Sequence, residues 1–140
     1  MSARYFLDTN VFVYTFDQTA PAKRRRAAEL IEEALVTGAG IISTQVVQEF
    51  LNVATRKFRV PLRPADCARY LDDVLAPLCQ VVPSMELFRC ALAIRHESAL
   101  GFYDALMVAA AAEAGCSTLY SEDMQDGQRL AGVTIRNPFN

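Results

Sequence analysis

The sequence lacks several things that would have decided its class early. It has no apolar run long enough to cross a bilayer: the longest, Ala105 to Ala112, falls far short of the roughly 20 residues needed. No basic region followed by an apolar one opens the chain, so no secretory signal is expected. The four cysteines (Cys67, Cys79, Cys90, Cys116) form no C-x-x-C, which argues against zinc and against a disulfide framework. Reduced thiols in a cytoplasm are the expectation. The single histidine, His96, is paired with no serine or cysteine nucleophile by motif, which disfavours triad chemistry. No G-x-x-x-x-G-K-[ST] occurs, so no nucleotide-binding P-loop is present. Nor is there a basic excess: 14 Lys and Arg stand against 16 Asp and Glu, a net charge of −2. That is a poor overall match to a nucleic-acid binder. Net charge hides distribution, however, and acids gathered in one pocket can coexist with basic patches around it.

What is present is a hydrophobic content of 52% in 140 residues, enough for one domain with a real core, taken as residues 1–140. No linker, repeat or low-complexity tract divides it. Arg4 to Asp8 reads as a buried first strand, because it does not alternate. Asn10 to Asp17 reads as a short helix. Pro21 suits a first helical turn, and that helix runs to Thr37 with Gly38 as its cap. Gly40 to Ser43 is a second strand, and Thr44 is expected to cap a helix to about Phe58. Pro64 opens a helix ending near Pro77. Gln80 to Val82 is a third strand, Ser84 caps a helix to Glu97, and Gly101-Phe102 leads into a helix ending at Gly115. Ser117 to Tyr120 and Val133 to Arg136 complete the strands. Short apolar strands alternating with helices predict an α/β fold, a central parallel sheet of four to five strands in a three-layer α/β/α arrangement. Ligands of such sheets bind beyond the carboxyl ends of the strands.

Acids fall at that edge. Asp8 ends the first strand, Glu49 lies in the second turn of the helix after strand two, and Asp104 opens the helix leading into strand four. Asp123 and Asp126 follow strand four. Each has an ordinary alternative: Asp8 could cap a helix, Asp104 could complement a helix dipole, and loops favour aspartate. On a helical wheel Glu49 borders the apolar stripe, in line with Gln45, Asn52 and Arg56. The conjunction is what matters. Four carboxylates in one partly desolvated pocket repel one another, and the usual remedy is a hard divalent cation. Oxygen-only ligands suit Mg²⁺, with Mn²⁺ as substitute. Thr9 and Asn10 would then orient the carboxylates.

Four stretches carry a resemblance: Leu7-Asp-Thr-Asn10, Val47-Gln-Glu-Phe-Leu51, Phe102-Tyr-Asp-Ala-Leu106 and Tyr120-Ser-Glu-Asp-Met-Gln-Asp-Gly127. Each alone is weak, but together, in this order and spacing, they resemble the PIN-domain nuclease family, and in particular its short VapC-like toxins. The resemblance covers nearly the whole chain. It implies a PIN-like fold and a metal-dependent ribonuclease that hydrolyses RNA phosphodiester bonds, leaving a 3′-hydroxyl and a 5′-phosphate. It maps the family's acids onto Asp8, Glu49, Asp104 and Asp123, as catalytic residues and metal ligands. It matches a hydroxyl to Ser121, and a further acid of some members to Asp126. It also implies a cognate antitoxin that covers the cleft, and a homodimer.

The densest basic run, Lys23 to Arg26, needs no more explanation than a solvated helix face. Arg56 and Lys57 are better placed to line a cleft and touch RNA phosphates. Two other chemistries compete. An aspartyl-phosphate phosphotransfer protein would use Asp8 as nucleophile, but Asn10 stands where a second aspartate is wanted and no lysine follows a later strand. A non-catalytic partner-binding or regulatory module could retain the metal pocket, although unused buried charge costs stability.

Overall fold

In a computed structural model of the chain, which describes residues 3–140, the first strand, β1 (Tyr5–Leu7), is buried along its whole length. Its three residues pack between β2 (Gly40–Ser43) and β4 (Thr118–Tyr120), parallel to both. β3 (Cys79–Val81) joins the far side of β2, and β6 (Val133–Arg136) joins the far side of β4, again in parallel. The sheet order is β3-β2-β1-β4-β6-β5. The five long-range strands are the parallel ones expected. The sixth, β5 (Arg129–Leu130), is a two-residue antiparallel partner of β6, too short to leave a periodic signal in the sequence.

The helices are α1 (Thr9–Tyr14), α2 (Pro21–Thr37), α3 (Thr44–Arg56), α4 (Pro64–Tyr70), α5 (Ala76–Leu78), α6 (Met85–Glu97) and α7 (Phe102–Glu113). From β1 through β2 to β3 the chain steps one way across the sheet, and from β3 through β4 to β6 it steps the other. With right-handed crossovers, the first set of helices lies on one face and α6 and α7 on the other. The packing agrees: α1 contacts α2 and α3, whereas α6 packs on α7, and α7 covers β2, β4 and β6. The order reverses between β1 and β4, so a crevice opens beyond their carboxyl ends, where α/β sheets hold ligands.

Local chemistry explains most boundaries. Gly38 closes α2 in the left-handed conformation, φ 72°, with its N–H on Ala34 O at 3.0 Å. At Gly40 any Cβ would collide with Ala34, so the glycine lets α2 lie on β2. Ser84 caps α6 through its side chain, accepting from Leu87 N at 3.0 Å. Thr44 is not a cap: α3 starts after Ser43, which makes no capping bond, and the Thr44 hydroxyl donates to Val81 O at 3.2 Å, across to β3. The helix expected from Pro64 to Pro77 is broken by a π-helical turn at Leu71–Leu75. Pro77 lacks the N–H that would continue an α-helical ladder, and the widened turn ahead of it absorbs the mismatch. Ala105 to Ala111 of α7 are all buried, as a helix apolar on every side requires. Among the described residues no helix is long and apolar enough to cross a membrane.

Candidate active site

β1 ends at Leu7, one residue before the sequence suggested, and Asp8 is the N-cap of α1. The helix-capping alternative is therefore realised, and it coexists with a second role. Asp8 Oδ1 accepts from Thr9 N at 2.6 Å, while Oδ2 accepts from Ser121 Oγ at 2.7 Å. The bond to Ser121 ties the end of β1 to the end of β4, across the point where strand order reverses. Asp8 is only 7% exposed. Burial, opposed by these two hydrogen bonds and reinforced by the charges of Asp123 and Glu49, pushes its carboxyl up from 3.8 to about 6.

The other acids arrive from separate segments. Glu49 projects from α3, half-buried, with Oε1 held by Thr9 Oγ1 at 2.7 Å and Oε2 by Gln45 Nε2 at 3.0 Å. Asp123, in the loop after β4, receives Asn10 Nδ2 on Oδ2 at 2.7 Å. Asp104 stands at the start of α7, exposed. Its carboxyl is raised by partial burial, and then by the negative charges of Asp123 and Glu49. Asp8, Glu49, Asp104 and Asp123 all line one open cleft of about 260 Å³, together with Thr9, Asn10 and Lys57. Thr9 and Asn10 thus hold carboxylates, each reaching a different acid.

None of these four acids forms an ion pair among the described residues. The ion pairs present are Lys23–Glu122, Arg26–Glu29, Arg63–Asp66 and Arg89–Glu86. Four carboxylates facing one cavity repel one another, and Lys57, the one cation among the described lining residues, forms no ion pair with any of them. Their oxygens are hard donors of the kind Mg²⁺ and Mn²⁺ prefer. Among the described residues no three His, Cys, Asp or Glu side chains already close into a cage. The acids instead ring an open cleft, which fits a hydrated ion that takes one or two carboxylates and keeps its waters, and does not fit a dehydrated one.

Two residues expected at the site lie off the cleft. Asp126 does not line the cleft; its Oδ1 accepts from Asn137 N at 2.8 Å, because the loop has turned away by that point and the side chain ties down the C-terminal segment. Arg56 is absent from the lining while Lys57 is present. The cleft follows the row Gln45, Glu49, Val53, Lys57, spaced i, i+4 along α3, and Arg56 sits one position off it. Ser121, expected as a supporting hydroxyl, is buried and donates to Asp8 from outside the cleft lining.

One group escaped the sequence reading of the site. Gln45 anchors Glu49 and also donates to Tyr103 O at 3.1 Å; its i, i+4 spacing from Glu49 was the available signal. Glu122, the acid beside Asp123 in the loop, turns away from the cleft to accept from Tyr14 OH at 2.6 Å and to pair with Lys23 at 2.8 Å. No spacing rule connects those three residues.

Among curated protein sequences none matches the chain significantly. Solved structures do. The structure of FitAB bound to an IR36 DNA fragment superposes with a TM-score of 0.71 at 16% identity, covering 97% of this chain and 96% of that one. A toxin-antitoxin complex from Klebsiella pneumoniae gives 0.68 at 20% identity, covering 98% of each chain. VapC20 of Mycobacterium tuberculosis, a sarcin-ricin loop cleaving toxin, gives 0.58 at 21% identity over 85% of this chain and 89% of that one. At such identities the likeness is one of fold. The sequence itself matches the family model of the PIN domain over residues 5–129, a span that holds all four acids of the cleft, and the chain belongs to the PIN domain family.

Proposed function

We propose that the chain is a metal-dependent endoribonuclease and the toxin half of a toxin–antitoxin pair. The observation that carries this reading is the cleft, where carboxylates from four segments meet with no ion-paired side chain. Asp8 and Asp104 would hold Mg²⁺ or Mn²⁺, flanked by Glu49 and Asp123. When bound, the ion supplies positive charge that polarises a phosphoryl oxygen and acidifies water.

The chain's own residues set the geometry. Asp8 is fixed on both oxygens, by Thr9 N and Ser121 Oγ, so its remaining lone pairs have a defined direction. Glu49 is fixed on both oxygens as well. Asp123 is held on Oδ2 by Asn10, leaving Oδ1 to orient the attacking water and take its proton. Lys57, on the cleft wall, attracts the RNA phosphate. Such positioning lowers the barrier because no group reorganises as charge develops. In-line attack would break the bond to the 3′ oxygen and leave a 3′-hydroxyl and a 5′-phosphate.

The toxin reading is supported by the fold's likeness to a toxin-antitoxin complex and to an RNA-cleaving toxin. It brings with it an antitoxin polypeptide over the cleft, a second copy of the chain and a cytoplasmic setting. The experiment is cleavage of end-labelled single-stranded RNA with Mg²⁺, with Mn²⁺ and with EDTA. Cleavage that needs the metal, and is lost in Asp8→Asn and Asp104→Asn variants of unchanged fold, supports the reading. Cleavage that persists in both variants, or in EDTA, refutes it.

A further inference from the structure

The acids of the cleft come from both helix layers. Glu49 stands on α3, on one face of the sheet, and Asp104 on α7, on the other. Among the described residues one hydrogen bond joins these two helices. It runs from Gln45 Nε2 to Tyr103 O at 3.1 Å, and the same nitrogen holds Glu49 Oε2 at 3.0 Å.

The orientation of that amide is forced. A carboxylate and a carbonyl only accept, so the nitrogen must face them and each takes one of its hydrogens. The amide oxygen, Oε1, is then buried without a partner in the protein. Buried acceptors are ordinarily paired, so the bridge is kept at a cost. Neither acceptor needs Gln45 for its own sake. Tyr103 O lies inside α7, where the helical ladder already supplies an N–H, and Glu49 is half-buried on the wall of an open cleft. An apolar side chain of the same length would fill the space and orphan no oxygen. What the amide alone supplies is the link.

The link falls where α7 is least fixed by packing. Ala105 to Ala111 are buried, but Tyr103 and Asp104, in the first turn, are exposed. The N-cap, Gly101, has no side chain to close that turn. No other side chain among the described residues hydrogen-bonds residues 102–105. Asp104 directly follows Tyr103, so a bond to Tyr103 O holds the turn that carries Asp104 against the helix that carries Glu49.

We infer that Gln45 is a positioning residue, bridging the two helix layers and setting the separation of the Glu49 and Asp104 carboxylates. Its consequence for a bound cation rests on the nuclease reading; the bridge itself does not.

Amide hydrogen exchange in EDTA reads the bridge without any metal. Gln45→Met keeps the length of the side chain and removes the amide. Gln45→Asn keeps the amide but falls one methylene short of both acceptors. In both variants exchange at Ala105, Leu106 and Met107 should quicken about fivefold, the scale of one hydrogen bond, with Ala109 to Ala111 unchanged. Unchanged exchange in the first turn overturns the inference. Equal quickening along the whole chain, the mark of a general loss of stability, also overturns it. Calorimetric titration with Mn²⁺ at pH 7 is the second readout. Affinity should fall about tenfold in either variant, the scale of losing a group that orients a metal ligand. In a Glu49→Ala chain, Gln45→Met should weaken it further by about twofold at most. A full tenfold loss there contradicts the bridge. A wild-type chain with no affinity for Mn²⁺ counts against the nuclease reading alone, and the exchange pattern then decides for or against Gln45.

Discussion

Glu122 and Asp123 are neighbours in one loop, and the chain treats them in opposite ways. Glu122 turns outward to a complete set of partners: Lys23 at 2.8 Å, the Tyr14 hydroxyl at 2.6 Å, and a Lys23 ammonium that also lies 4.9 Å from the Tyr14 ring centre. Burial alone would raise its carboxyl, but the hydrogen bonds from Lys23 and Tyr14 hold it below the usual range. Asp123 turns inward, toward three more acids, with a single side-chain amide donor and no ion pair among the described residues. A protein able to neutralise one acid so fully, one residue away, leaves the other four short of positive charge. On the proposed reading, the difference separates an acid that serves the fold from acids that would serve a cation.

Removing a cleft acid should have the largest effect. Asp8→Asn or Asp104→Asn should cut RNA cleavage by about a thousandfold, the scale of losing one preorganised charge-stabilising group, with the fold kept. Single-turnover cleavage with saturating Mn²⁺ measures it. A loss of similar size in Glu122→Gln would erase the contrast between the two neighbours.

Next comes stability in chelator. Folding raises the Asp8 carboxyl from 3.8 to about 6, so the folded chain binds the proton more tightly than the unfolded one. Stability should therefore fall as pH rises from about 4 to about 6 and level off above, a loss on the order of 3 kcal/mol. Urea unfolding in EDTA across that range reads it out, and Asp8→Asn should flatten the slope. A difference between wild type and Asp8→Asn that runs in the opposite direction with pH would contradict the raised Asp8 carboxyl.

A smaller effect is expected at the outward-facing neighbour. Lys23→Met or Glu122→Gln should loosen the loop that presents Asp123, and reduce cleavage about tenfold, as losing a group that orients a metal-binding shell does. The exchanged pair Lys23→Glu with Glu122→Lys should recover part of that loss. The smallest effect belongs to Asp126→Ala, expected to change cleavage less than about twofold, because the side chain only holds Asn137 N.

The parts legible in the sequence were those governed by period, punctuation and burial. The non-alternating run at Tyr5 to Leu7, Pro21 with Gly38 around α2, and the all-apolar stretch of α7 each specified an element. The strand-then-acid arrangement at Asp8, and the positions of Glu49, Asp104 and Asp123 at one edge, followed from topology. What stayed hidden depends on contacts between distant residues. Asp126 and Asp123 are alike in composition and lie in one loop, and only the path of the chain after Met124 separates a tether from a cleft acid. Arg56 and Lys57 differ by the one position that places a side chain on or off the row from Gln45 to Val53. The pairing of Glu122 with Lys23 joins residues 99 apart. β5 exists only because β6 is there to pair with it.

The central proposal is that the four acids bind a divalent cation, and calorimetric titration of the chelator-treated chain with Mn²⁺ at pH 7 tests it most directly. Saturable binding by the wild-type chain, a matching rise in melting temperature, and loss of both in an Asp8→Asn, Asp104→Asn double variant that still folds are the predicted results. No binding heat and no change in melting temperature in the wild-type chain would contradict it.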